Sequence, residues 1–527
     1  MLAAGLPFDE AAISVNEAAT GAAGTTGARV VRGGLWKMLA NTLPQLYTLV
    51  ISVAAARYLG ASGLGRQSFI AFVEVTAVTL LSANFSVALM RYVGEAVGAD
   101  RPGAARWLAA RILRIEVAAA ALGGGALVLA GALGASPPRA WTFAGIAAAS
   151  GILATVPGAV LTGLQRWRQA TIAGLSTGGF GVGATIAVLA LGGGITGMFA
   201  VEAATTTVTL LWTAWLARGA ALRLRAEPTA APDLGRGALR FAAYSFGGTV
   251  LYLIVWRRSE FFFLAHYSTD SEIAFYSIAF AVATGLVRLP AAMGEVVAPA
   301  VATLYGAGAH DRIRTGFSRA LRLLLLATFP VVAAAAALGP EAIRVIWGPE
   351  FGPAKDPFLV LVAASLLTPV TVLSSSLAAG LGRVGVPLVV DSAAAAVDVG
   401  VAFALVPDHG ALGAAIASAC ALLVSGVPLT VYAARIVGPV RWEAPRLLRG
   451  ALISAAGGVV AWLLVDALGG GLGVVLGLIC GAGVFASLAL LLGFLPREDA
   501  EWLESLLGDR AGRFPRKAVL AFAGRPW

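Results

Sequence analysis

Charged side chains embedded in apolar sequence are the residues best placed to do chemistry in this chain. They are Glu74, Glu202, Arg257, Arg258, Glu260, Arg288, Glu295, Asp391 and Asp398. An ionised group deep in a bilayer costs about 2.5–3.5 kcal/mol or more, so such residues face a protein interior or a wet cavity. Arg257 and Glu260 lie three residues apart and share a helix face, where they can neutralise one another. Arg258 points about 100° away from that face and has no local partner, because each helical residue turns by that angle. Arg288 falls well inside its span, and Glu295 lies two turns further, too distant for a direct pair. A guanidinium binds two phosphate oxygens at once and stays charged, so Arg258 and Arg288, with Arg257 beside them, are candidate cavity cations for a phosphate-bearing substrate. Asp391 and Asp398 share one face of a helix. They, Glu74, Glu202, Glu260 and Glu295 are candidates either for ion coupling or for structural hydrogen bonding.

Other chemistry is poorly supported. Cys420 and Cys480 sit in apolar runs without CxxC spacing, and His266, His310 and His409 are too scattered for a metal cluster. Lys37, Lys355 and Lys517 are the three lysines, and none precedes Ser or Thr, so no Walker A loop is present. Gly174-Leu175-Ser176-Thr177-Gly178 fits a nucleophile-elbow pattern, but it lies within a span, where glycine spacing serves helix packing.

The elements that must position these charges are membrane helices. Of 527 residues, 58% are apolar and 13% are charged, about half the charged share of a soluble domain. A mean hydropathy of +0.84 over this length cannot come from one buried core. Runs of roughly 20 apolar residues predict about 14 transmembrane helices, near 35–56, 68–90, 113–135, 141–162, 170–191, 195–217, 241–265, 273–301, 319–338, 357–379, 386–405, 410–432, 450–468 and 473–495. With a cytoplasmic N-terminus, thirty of the 38 basic residues fall on inner connections or tails. That asymmetry is the positive-inside signal, and it removes the nucleic-acid reading that a net charge of +10 would invite.

A duplication organises the spans. Tyr58–Ile70 matches Tyr267–Ala279, Gly163-Leu164-Gln165-Arg166 matches Gly380-Leu381-Gly382-Arg383, and Gly194-x-x-Gly197 matches Gly410-x-x-Gly413, at offsets of 209, 217 and 216. The expected fold is therefore all-α and polytopic, with two parallel six-helix repeats and two added C-terminal helices. The expected divisions are a disordered leader at 1–28, a first half at 29–217, a cytoplasmic linker at 218–240, a second half at 241–432, two further helices at 433–495 and an amphipathic cytoplasmic tail at 496–527. Trp502, Leu503, Leu506 and Leu507 among charges give that tail its interfacial character.

Arg57-Tyr58-Leu59-Gly60 followed by Gly65 resembles the R-x-L-G-x(4)-G junction of bacterial polysaccharide exporters, within the multidrug/oligosaccharidyl-lipid/polysaccharide superfamily. Leu80-Leu81-Ser82 to Ala88-Leu89-Met90-Arg91 resembles that family's second span ending, and Arg258-Ser259-Glu260 with Tyr276 is similar to its seventh-span pattern. The family usually has Asp at the position of Glu260 and Gly-Pro where this chain has Gly60-Ala61. The resemblance covers about residues 29–495. It implies a flippase, not an enzyme, that moves polyprenyl-pyrophosphate-linked oligosaccharide from the cytoplasmic to the outer leaflet for cell-surface polysaccharide synthesis. It further implies a cavity between the halves, Arg258 and Arg288 on the pyrophosphate, and a coupling proton or sodium ion with no other cofactor. The expected setting is the bacterial plasma membrane with both termini cytoplasmic. The partners would be membrane lipid, the lipid-linked glycan, a polysaccharide polymerase and glycosyltransferases, with the flippase itself a monomer. Rival readings are a peptidoglycan-precursor flippase, a multidrug or cation antiporter, and a membrane polysaccharide polymerase. The antiporter would favour carboxylates over arginines, and the polymerase would need a large outer loop.

Overall fold

Long Ala- and Leu-rich runs favour helix, and in lipid a helix satisfies its own backbone. The computed structural model describes residues 9–82, 85–222, 227–256, 259–288, 297–383, 385–438, 443–495 and 498–499. Among them there is no β-strand, and ten helices are long and apolar enough to cross a membrane. The protein is an all-α, multi-pass membrane protein.

In chain order the helices are α1 (Asp9–Leu81), α2 (Phe85–Gly98), α3 (Pro102–Ala132), α4 (Pro138–Gly163), α5 (Trp167–Ala190), α6 (Gly194–Leu222), α7 (Pro232–Trp256) and α8 (Glu260–Tyr267). They continue as α9 (Asp270–Leu286), α10 (Val297–Gly306), α11 (His310–Ile346), α12 (Lys355–Ala364), α13 (Thr368–Gly380), α14 (Gly385–Val437), α15 (Ala444–Leu468) and α16 (Gly470–Leu492). Helix reaches back to Asp9, through most of the segment read from sequence as a disordered leader. Ala is the best helix former, and this stretch is rich in it.

Two of the helices are bent by glycines in conformations closed to other residues. α1 breaks at Gly60 (φ 70°, ψ −179°) and α14 at Gly410 (φ 48°, ψ −126°). α14, at 53 residues, is long enough to cross a bilayer twice. At its bend, Glu272 accepts a hydrogen bond from the Ala411 N–H at 2.7 Å, capping the helix that resumes there. At the start of α16, Glu341 caps Gly470 N–H in the same way at 2.9 Å.

The chain divides into two compact units. The first comprises residues 1–54 and 73–249. Its core includes Leu89, Leu108, Ile112 and Leu161. A Cβ placed on Gly124 would lie 2.6 Å from the Gly145 carbonyl, and one on Gly145 would lie 2.6 Å from the Gly124 carbonyl. α3 and α4 are therefore in backbone contact, the small-residue packing that replaces hydrophobic drive inside a membrane. Hydroxyl pairs tie α6 to its neighbours, Ser150 to Thr207 at 2.9 Å and Thr177 to Thr209 at 2.6 Å.

The second unit comprises residues 55–72 and 250–527. Phe317, Leu321, Leu324, Leu373 and Leu377 form one of its cores. Glycines also bring α15 against α16, with Gly457 against the Gly481 carbonyl and Gly477 against that of Ala461. At the base of α11, Arg322 binds Asp499 through two nitrogens, each 2.7 Å from a carboxylate oxygen, and also pairs with Glu443. Arg319 adds a 2.9 Å bond to the same Asp499, which is fully buried.

Candidate functional site

The second unit gathers a polar cluster from three helices. α8 begins at Glu260, immediately after Ser259. Ser259 leaves its own helix N-terminus uncapped and donates its hydroxyl to Asp398 Oδ2 of α14 at 2.7 Å. Beyond the Gly410 bend, Ser418 of α14 donates to Glu260 Oε1. A serine has one hydroxyl proton, so the 2.8 Å contact between Ser418 and Tyr276 of α9 makes the tyrosine the donor. The resulting relay runs from Tyr276 through Ser418 to Glu260.

All four interior members are buried, with Tyr276 0%, Asp398 1%, Glu260 3% and Ser418 6% exposed. Phe261 stacks on Phe72 at 5.0 Å and meets the Tyr276 ring edge-on at 5.8 Å, enclosing one side in aromatic carbon. Glu260 Oε2 and Asp398 Oδ1 are both buried without a hydrogen-bond partner, while Ser259, bonded to Asp398, directly precedes Glu260 in the chain. Two buried carboxylates in one cluster repel each other, and an unpartnered buried anion is costly, so uptake of a proton is favoured there. The cluster can therefore hold one proton between its acids. Its oxygen-only donor set also suits a hard monovalent cation.

The other sequence candidates are distributed as follows. Asp391, two turns before Asp398 on α14, is half-buried and accepts the Ser425 hydroxyl at 2.7 Å. Glu74 and Glu202 belong to the first unit, where they are near enough to interact electrostatically. Glu74 is 5% exposed, and its Oε2 has no partner. Arg288 lies just past the end of α9, exposed, with no ion pair among the described residues. Arg257, Arg258 and Glu295 lie outside the described residues, as does the tail beyond Asp499.

Sequence reasoning singled out the acids and, within the seventh-span pattern, Ser259 and Tyr276, but not Ser418. One signal was present: the offset of 216 that aligns Gly194 with Gly410 also aligns Glu202 with Ser418. The matched position is polar in both halves, half-buried at Glu202 and buried at Ser418. Glu116, fully buried on α3 with neither oxygen partnered, also escaped notice.

Residues 140–356 match the polysaccharide biosynthesis protein family. Over 86% of this chain and 98% of the other, the fold is similar to that of the lipid II flippase MurJ in an inward closed conformation, with a TM-score of 0.68 at 12% identity. The chain thus shares a stretch with polysaccharide biosynthesis proteins and its fold with a lipid flippase. An inward-facing MATE multidrug resistance transporter of the MOP superfamily aligns with a TM-score of 0.66 at 16% identity, over 76% of this chain and 98% of its own. A MOP transporter from Pyrococcus furiosus, described as having a binding pocket of reverse polarity, aligns at 0.54 and 17% identity, over 78% and 95%. No curated protein sequence matches the chain. The solved structures whose fold it shares are those of transporters and a flippase.

Proposed function

We propose that this protein flips a polyprenyl-pyrophosphate-linked oligosaccharide from the cytoplasmic to the outer leaflet of a bacterial plasma membrane, by alternating access. The observation that carries this reading is the match of residues 140–356 to polysaccharide biosynthesis proteins on a fold shared with a lipid flippase. The charge pattern supports cytoplasmic termini. Arg258 and Arg288, flanked by Arg257, supply the cations that a pyrophosphate requires. The glycan needs no chemical change to cross, so binding and conformational exchange suffice.

Coupling is assigned to the cluster of Glu260 and Asp398. Loaded with a proton or a sodium ion, the two acids are neutralised and the buried site is stable as seen. Unloaded, they repel one another, which favours a state in which water reaches them. An ion that binds one conformation more tightly than the other shifts the equilibrium between them by that difference. Proteoliposomes with a fluorescent polyprenyl-pyrophosphate glycan in the inner leaflet test the reading. Its appearance outside, accelerated by an imposed proton or sodium gradient, is the expected result. Transport of an organic-cation dye with no movement of the glycan would replace it with the antiporter reading.

A further inference from the structure

The core-facing stripe of α3 is built from small and aliphatic side chains, among them Leu108, Ile112, Ala120 and Leu127, with a single acid, Glu116, in its midst. Glu116 is 0% exposed, and neither of its oxygens has a hydrogen-bond partner. The close approaches of Gly124 to Gly145 and of Gly131 to Pro138 set α3 antiparallel to α4. That register brings Glu116 level with Leu153, one turn before the buried Pro157. Proline has no N–H, so the Leu153 carbonyl at that level lacks its usual helical donor.

The charged groups on the surrounding elements do not compensate the acid. On α2, Arg91 lies over the rings of Tyr92 and Phe241, and Glu95 is exposed. On α3 itself Arg111 lies over Trp107, and Arg114 is exposed. Arg139 of α4 and Asp233, Arg236 and Arg240 of α7 are exposed as well. A carboxylate in such a place would have neither a donor nor a counter-ion. A carboxylic acid requires only an acceptor, and α4 offers a carbonyl in the same layer.

We propose that Glu116 is a proton-binding site of the first unit, filled while α3 packs against α4 and emptied when water reaches the helix interface. It is separate in sequence and in unit from the cluster of Glu260 and Asp398. It stands whether or not the transported substrate is a lipid-linked glycan.

Infrared spectroscopy of the full chain in lipid nanodiscs near neutral pH reads the proton directly, through the carbonyl stretch of a protonated carboxylic acid. Glu116→Gln is expected to remove one component of that band, while Glu95→Gln at the exposed α2 site leaves it unchanged. A band identical in the wild type and Glu116→Gln overturns the proposal. If the glutamine variant does not fold, Glu116→Asp keeps an acid at the site, and its component must shift in frequency. An unshifted band in the aspartate variant overturns the proposal equally. Because no transport is measured, failure here leaves the flippase reading intact, and failure of glycan flipping leaves this one intact.

Discussion

Ser259 and Asp398, 139 residues apart in the chain, are joined by a 2.7 Å hydrogen bond that fixes the start of α8 against the first arm of α14. Ser418, on the second arm of the same bent helix, holds Glu260. The acid cluster therefore rests on both sides of the Gly410 bend, and any change in that bend alters the distance between its carboxyls. If the cluster couples an ion to transport, as proposed above, the bend is the element that would feel its occupancy.

Neutralising either acid should disconnect transport from its driving ion. Glu260→Gln and Asp398→Asn are expected to flip glycan at equal rates with and without a gradient, whereas the wild type should respond roughly 5- to 150-fold, the usual span of coupling between sites. Initial rates in proteoliposomes under imposed proton and sodium gradients check this. Gradient-driven acceleration retained in both variants would remove the coupling role from this cluster.

The bend itself can be tested by stability. At φ 48°, Gly410 occupies a conformation that L-residues rarely adopt, and a Cβ there would meet the Glu272 carboxylate at 2.6 Å. Gly410→Ala is expected to lower unfolding stability by about 1–3 kcal/mol, the range for such backbone strain. Thermal unfolding in detergent would show it, and Gly400→Ala, in open space on the same helix, should cost nothing comparable.

Much of this architecture was legible in the sequence, and the part that was not has identifiable causes. Long apolar runs and the clustering of arginines reveal membrane helices, because lipid admits little else. Glu260 and Asp398 stand out for the same reason: a charge among leucines is visible. Their pairing is not: Ser259 and Tyr276 enter only through the seventh-span pattern, Ser418 is ordinary in a membrane helix, and only the fold shows which hydroxyl meets which acid. Glu116 was obscured by its neighbours. Arg111 and Arg114 lie within five residues of it and mark the stretch as a cytoplasmic helix end. They occupy the exposed face of α3, however, while Glu116 occupies the buried one. Arg322 was legible only as one more positive-inside residue, although it anchors Asp499 from 177 positions away.

That anchor carries its own prediction. Arg322 and Asp499 are 7% and 0% exposed, so removing one partner leaves the other short of counter-charge, Asp499 with Arg319 alone and Arg322 with Glu443 alone. Arg322→Met and Asp499→Asn are each expected to cost roughly 3–5 kcal/mol, the range for breaking a buried pair, and the double variant to recover much of it. Urea unfolding of the three variants gives the cycle. Fully additive losses would mean that the two residues act independently.

Between α3 and α7, Arg101 donates to Asp233 at 3.2 Å and, with backbone hydrogen bonds, holds that carboxyl below its ordinary range. A carboxyl depressed in the folded state adds stability above its unfolded value and loses it as the pH falls through the folded value. Both side chains are about half exposed, so solvent screens the effect and little stability rides on it. The measurable quantity is the titration itself. Asp233, followed by carbonyl NMR, should titrate below a model peptide and return towards it in Arg101→Ala. No movement in that variant would mean that the backbone hydrogen bonds set the value alone.

Arg288 provides the sharpest test of the substrate class. It is exposed, lies beyond the last turn of α9, and has no carboxylate to neutralise among the described residues. A structural arginine in a membrane protein would normally be paired, because the uncompensated charge is expensive there. If a pyrophosphate supplies the missing anion during transport, Arg288→Ala loses charge-assisted hydrogen bonds worth about 1.5–3 kcal/mol, or about a ten- to hundredfold loss in flipping at low substrate. Arg288→Lys keeps the charge without the planar fork and should fall between the two. Expression and thermal stability should be unaffected, which separates a binding role from a folding one. Normal flipping by Arg288→Ala, at every glycan concentration, would mean that the pyrophosphate is held elsewhere.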